Sequence, residues 1–169
     1  LNNCTVESND KNDDTSYWTS VFFLDDSNFT ICGGEIKDNG TAKVDTLFYF
    51  DGPSSLNMSD GCKVTGNHTA SIFAQIHNGG AWCSVTDCDF IDNDGMIAIK
   101  YGYAPKSYAF SKCRFNNNNV AGLSEYDFYG YEGIELNLID CDLGDSTFSG
   151  EEYINFIYND VPEAEGVIR

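Results

Sequence analysis

The chain has 169 residues, with 27 Asp and Glu against 9 Lys and Arg, for a formal charge of −18. That length suits one domain with a core of its own. The charge repels phosphate backbones and anionic membranes, which excludes nucleic acid as a partner. The longest strongly apolar run, 21–24, is far short of the roughly 20 residues that a spanning helix needs, so no membrane insertion is expected.

Abundant Tyr and Phe, frequent Asn, Asp and Gly, and only 3 Pro indicate short strands joined by turns. In chain order, the first segment to stand out is Cys-Thr-Val-Glu-Ser-Asn at 4–9. An apolar run at 18–24 follows, then Phe29 and Ile31 two apart. Gly-Glu-Ile-Lys-Asp-Asn at 34–39 repeats the opening pattern, followed by 47–50 and by Leu56 with Met58. Cys-Lys-Val-Thr-Gly-Asn at 62–67 leads to 72–76 and Val85. Cys-Asp-Phe-Ile-Asp-Asn at 88–93 leads to 97–101 and to Tyr108 with Phe110. Cys-Arg-Phe-Asn-Asn-Asn at 113–118 leads to 123–128 and to Ile134, Leu136 and Leu138. Cys-Asp-Leu-Gly-Asp-Ser at 141–146 leads to 153–158, which falls in the same slot as 47–50. No stretch carries a helical stripe.

The pattern of Cys or a small residue, any, apolar, any, polar, Asn thus occurs six times, at steps of 30, 28, 26, 25 and 28 residues. A unit of that size with three short strands cannot bury its apolar side alone and becomes stable by stacking on its neighbours. The expected fold is all-β: a right-handed parallel β-helix of about six coils, 25–30 residues each, over 1–158, with a tail at 159–169. Stacking predicts vertical files. The position after the Cys/Gly file should face outward and reads Thr5, Glu35, Lys63, Asp89, Arg114, Asp142, alternating in charge from Glu35 on. Opposite charges one rung apart form a favourable charge ladder. The last file, Asn9, Asn39, Asn67, Asn93, Asn118 and Ser146, suits an amide ladder, and Asn also tolerates the left-handed backbone of tight turns.

Phe90-x-x-Asn93 and Phe115-x-x-Asn118, with Gly-Gly-Glu-Ile at 33–36 and Gly-Gly-Ala-Trp at 79–82, resemble the Phe-x-x-Asn and Gly-Gly-Ala-Ile repeats of polymorphic outer-membrane-protein adhesins. More broadly the chain is similar to the pectate-lyase-like right-handed β-helix superfamily. The resemblance implies a β-helix over nearly the whole chain and an adhesive role.

Five sequons, at Asn3, Asn28, Asn39, Asn57 and Asn67, fall in the first 67 residues and none in the rest. They predict a secreted glycoprotein with its N-linked glycans on one half. Asn39 and Asn67 are also ladder members, and an amide buried in a ladder has no room for a glycan. Leu1 is preceded by neither a signal sequence nor an initiator Met, which suggests a mature or trimmed product. Of the seven Cys, those at 4, 62, 88, 113 and 141 share a file. Stacking puts Cys62 near Cys88 and Cys113 near Cys141, with Cys4 and Cys32 as a further pair and Cys83 as a core thiol. A stack of reduced, buried thiols is the alternative.

No cofactor is expected. Asp87, Asp89, Asp92 and Asp94-Gly95 are the one cluster that invites calcium, and they do not fit the EF-hand frame. No catalytic residues stand out: Arg114 sits between Asp89 and Asp142, and His68 and His77 suit structural or solvent-facing roles. The chain is therefore read as a structural or adhesive protein rather than an enzyme. It would stack end to end on itself or on flanking β-helix coils into a fibril. The other reading is a carbohydrate-active β-helix using Tyr101, Tyr103, Tyr126, Tyr129 and Tyr131 to bind or cleave polysaccharide.

Overall fold

The computed structural model describes residues 1–9, 20–40, 44–75, 81–98, 107–120, 127–130, 135–146, 148–150 and 155–159. These hold strands and turns and no helix. The strands are β1 (Thr5–Glu7), β2 (Ser20–Asp25), β3 (Asn28–Cys32), β4 (Glu35–Lys37), β5 (Val44–Asp51), β6 (Ser55–Ser59), β7 (Lys63–Thr65), β8 (Thr69–Gln75) and β9 (Trp82–Thr86). They continue as β10 (Asp89–Ile91), β11 (Met96–Ala98), β12 (Ser107–Ser111), β13 (Arg114–Asn116), β14 (Phe128–Gly130), β15 (Glu135–Ile139), β16 (Phe148–Gly150) and β17 (Asn155–Asn159).

Strands three apart in order pair as far as β15, and then β14 pairs with β16 and β15 with β17, always in parallel. The first sheet runs β1-β4-β7-β10-β13, the second β2-β5-β8-β11-β14-β16 and the third β3-β6-β9-β12-β15-β17. This is a β-solenoid, all-β and all-parallel as the repeat implied. The six expected coils are not uniform: the sheets hold five, six and six strands. Where a sixth strand of the first sheet would lie, only a bridge from Arg114 to Asp142 forms. A second correction concerns the C-terminal region. The segment 153–158 was expected in the second sheet, but β17 pairs with β15 in the third, and the second-sheet strand is β16, against β14.

Alternation along each strand sends one set of side chains into the lumen. The first sheet contributes Ile36, Val64, Phe90 and Phe115, all buried. The second contributes Phe22, Phe48 and Phe73, stacked face to face with centroids 4.7 and 5.5 Å apart. The third contributes Leu56, Cys83, Tyr108 and Leu136 in one file and Ile31, Met58, Val85, Phe110 and Leu138 in the next. Rings from different sheets meet edge to face, as Phe110 does with Phe90 at 6.0 Å and Phe115 at 5.3 Å. That arrangement suits the ring quadrupoles and leaves the lumen filled. Leu47 and Ile72, on the outer side of the second sheet, are also buried, so that sheet is covered on both sides at those positions.

The three-residue strands of the first sheet are set between two left-handed corners. Just before the Cys/Gly file, Asn3, Gly33, Gly61, Asp87, Lys112 and Asp140 all have φ between 46° and 71°. Just before the Asn file, Ser8, Asp38, Gly66, Asp92 and Asn117 do the same, at 50–60°. Asn, Asp and Gly tolerate this region and most other residues resist it. The left-handed residue is therefore the one preceding the ladder Asn, not the ladder Asn itself. Gly34 replaces Cys in the second repeat for a local reason: its φ is 86°, and a Cβ there would overlap the backbone of Cys4.

Candidate functional site

The solenoid presents surfaces of different chemistry. On the first sheet the file after the corner is in register as expected: Thr5 opposite Glu35, Glu35 opposite Lys63, Lys63 opposite Asp89, and Asp89 opposite Arg114. Asp142 follows through its bridge to Arg114. Contact within the file is selective. Arg114 Nη2 donates to Asp89 Oδ2 at 2.8 Å. Glu35 turns instead to Lys37, whose ammonium lies 3.3 Å from Glu35 and 3.4 Å from Glu7. The hydrogen bond and charge of Glu35, then those of Glu7, hold the Lys37 pKa above its usual range.

At the corner beside this sheet stands the asparagine file. Asn9 donates its main-chain N–H and its Nδ2 to Asn39 Oδ1, at 3.2 and 2.8 Å. Asn39 does the same to Asn67, Asn67 to Asn93, and Asn93 to Asn118. The second Nδ2 hydrogen reaches back to the preceding rung: Asn39 to Val6 O, Asn67 to Ile36 O, Asn93 to Val64 O and Asn118 to Phe90 O. Each inner Asn thus ties three rungs together and leaves none of its own polar atoms unpaired. Ser146 does not continue the file; its N–H bonds to Leu143 O.

This geometry separates the sequons. Asn39 and Asn67 are 0% exposed with their amide nitrogens engaged on both sides, so they are removed as glycan candidates. Asn3 and Asn28 are exposed and Asn57 is half-buried. On a strand, residues i and i+2 share a face. Asn28 with Thr30, and Asn57 with Ser59, therefore lie together on the outside of the third sheet. Ser55 Oγ also donates to Asn28 Oδ1.

The cysteine file is in register through its backbone. Cys4 O accepts from Glu35 N–H, Gly34 O from Lys63, Cys62 O from Asp89, Cys88 O from Arg114 and Cys113 O from Asp142. All seven thiols are free, and Cys62, Cys83, Cys88, Cys113 and Cys141 are buried. The thiol hydrogens turn to main-chain carbonyls: Cys88 Sγ donates to Thr86 O at 3.2 Å, Cys113 Sγ to Ser111 O at 3.4 Å and Cys141 Sγ to Ile139 O at 3.4 Å. Cys62 and Cys88 are neighbours, as are Cys113 and Cys141, and the neighbouring thiol lowers the pKa of Cys62 and Cys141 and raises that of Cys88 and Cys113. Cys4 and Cys32 are not brought together by register: Cys32 lies opposite Asn2 and Gly34 beside Cys4, two residues out of step. Cys83 is a core thiol between Leu56 and Tyr108, its pKa raised by burial.

Compared with known proteins, the chain matches no family model, no curated protein and no solved structure. The fold assignment therefore rests on the sheets.

The acidic cluster is engaged by its neighbours: Asp89 by Arg114, Asp92 by Asn117 Nδ2 at 2.7 Å, and Asp94 by His68 Nδ1 at 2.6 Å. Among the described residues no three potential ligands converge on a metal position. Gly95 has a steric reason: a Cβ there would overlap the backbone of Thr69 and Ala70. Tyr101, Tyr103, Tyr126, Tyr131, His77 and 160–169 lie outside the described residues, as does the side chain of Tyr129.

One surface was missed in the sequence. On the outside of the third sheet, one file reads Thr30, Asn57, Ser84, Ala109, Asn137 and the next reads Cys32, Ser59, Thr86, Ser111, Ile139. Neither contains Asp, Glu, Lys or Arg. The signal was small polar residues two apart just before each corner. Beside these files Trp82 projects, 44% exposed.

Proposed function

We propose that the chain serves as an extracellular, N-glycosylated structural or adhesive solenoid. It shares its repeat logic with the polymorphic outer-membrane-protein adhesins and, more distantly, with the pectate-lyase-like β-helices. The observation that carries this reading is the continuity of the files. Hydrogen-bonded asparagines, lumen rings and opposed charges recur rung after rung, so the repeat is spent on building a stiff stack. Among the described residues β1 and β2 each have a strand on one side only, and the outer side of β3 carries only the short pairing of residues 1–3, through the bridge from Asn2 to Cys32. Further turns laid on such an edge, from another copy or from flanking coils, extend every file at once.

Glycans belong at Asn3, Asn28 and Asn57. In an oxidising compartment the neighbouring pairs Cys62–Cys88 and Cys113–Cys141 close as disulfides. The test is expression through a secretory host, glycopeptide mapping, and negative-stain microscopy of the product. Sugar at those three positions but not at Asn39 or Asn67, with rods that lengthen as concentration rises, supports the reading. Bare sequons on a compact particle that never associates would overturn it.

A further inference from the structure

Among the described residues Trp82 is the one large apolar side chain exposed on a third-sheet strand, at 44%. The register names what stands within its reach. In its own outward file Ser55 lies one rung before it and Asn28 two rungs before it. In the adjoining outward file Asn57 stands opposite Ser84, so it is one rung and two residues away from Trp82. With rungs about 4.8 Å apart and alternate residues about 6.6 Å apart, that diagonal is about 8 Å, a span an aromatic side chain can bridge. The ground between is held by Ser55 and Ser84, both too small to keep the two apart.

The two sequon asparagines send their amides to different places. Asn28 Oδ1 accepts from Ser55 Oγ, and Ser55 is only 1% exposed. The oxygen of Asn28 is thus turned toward the Trp82 side of the file, and its nitrogen leaves in another direction. Asn57 is half-buried, and among the described residues no hydrogen bond holds its side chain. An N-linked sugar is attached at the amide nitrogen. Its C–H faces pack on an aromatic ring while its hydroxyls stay in water.

We propose that Trp82 is a seat for the chain's own carbohydrate, the innermost sugars of an N-glycan on Asn57 lying across the indole and over Ser84. The inference rests on the glycoprotein reading above and deepens it. A neutral sugar needs no countercharge, so Glu135, two rungs beyond Trp82 in the same file, does not oppose it. Held down in this way, the glycan covers the outer face of the third sheet and closes it to lateral contact between solenoids. Growth is then left to the ends.

The test uses the full 169-residue chain from a secretory host and follows oxidation of Trp82 by N-bromosuccinimide, read peptide by peptide so that Trp18 is scored separately. Protein glycosylated at Asn57 should lose Trp82 about fivefold more slowly than Asn57→Gln, as suits one aromatic contact. Asn28→Gln should leave the protection intact. A double-mutant cycle gives a second readout: loss of the Asn57 glycan lowers the denaturation midpoint when Trp82 is present and not in Trp82→Ser. A bare Asn57 in the glycopeptide map sinks the glycoprotein reading at this site and the inference with it. A glycosylated Asn57 with Trp82 oxidised as fast as in Asn57→Gln, or with the same shift in midpoint with and without the indole, overturns the seat alone and leaves the glycoprotein standing.

Discussion

A buried amide is tolerable only when both its hydrogens and its oxygen are answered. Asn67 meets that demand with bonds from Asn39 and to Ile36 O, Thr65 O and Asn93 Oδ1. Replacing it with Ala strands the main-chain N–H and one Nδ2 hydrogen of Asn39, while Asn93 Oδ1 keeps the main-chain N–H of residue 67. Two such orphaned groups cost about 2–4 kcal/mol, read as a lower denaturant midpoint at unchanged slope. Lys112 is the opposite case. It holds φ 54° where the equivalent corners use Asn, Gly or Asp. Lys112→Asn relieves about 1 kcal/mol of left-handed strain, and Tm should rise by about 2–4 °C for a chain of this size. Tyr108 is buried in the lumen, and among the described residues its hydroxyl has no partner. Tyr108→Phe is expected to be neutral or stabilising by about 1 kcal/mol.

At the scale of the element, short strands survive because packing fixes them. Phe110 touches Phe73, Phe90, Phe115 and Phe128 and so joins all three sheets. Phe110→Ala is predicted to cost about 3–5 kcal/mol in equilibrium unfolding, more than any single change at the exposed charge file. The same contrast explains what could be read from sequence. The third-sheet strands keep a nearly constant distance ahead of the motif: Cys83 to Cys88, Tyr108 to Cys113 and Leu136 to Cys141 are each five residues. One geometry of corner serves every rung, so those files were legible. The second-sheet strands follow loops of changing length, fourteen residues from Gly34 to Phe48 but seven from Cys141 to Phe148. A spacing argument therefore placed 153–158 in the wrong sheet. The small polar files were overlooked because single Ser and Thr residues look like turn formers until register lines them up.

For the whole molecule, the thiols give a direct readout of the compartment in which it folds. The two neighbouring pairs are expected to be oxidised in protein recovered from secretion. Thiol titration in guanidinium should then count three, from Cys4, Cys32 and Cys83, against seven for protein folded under reduction. In the reduced form without denaturant, exposed Cys4 and half-buried Cys32 should react first, since the other five are buried.

The asparagine file has one further property, its polarity. Every side-chain oxygen in it looks toward the start of the chain, and every donated main-chain N–H looks the other way. Two copies related by a twofold axis across such a file would press oxygen against oxygen, or hydrogen against hydrogen. Symmetric mating through this corner is therefore disfavoured, and any extension along the axis must proceed with all members facing the same direction.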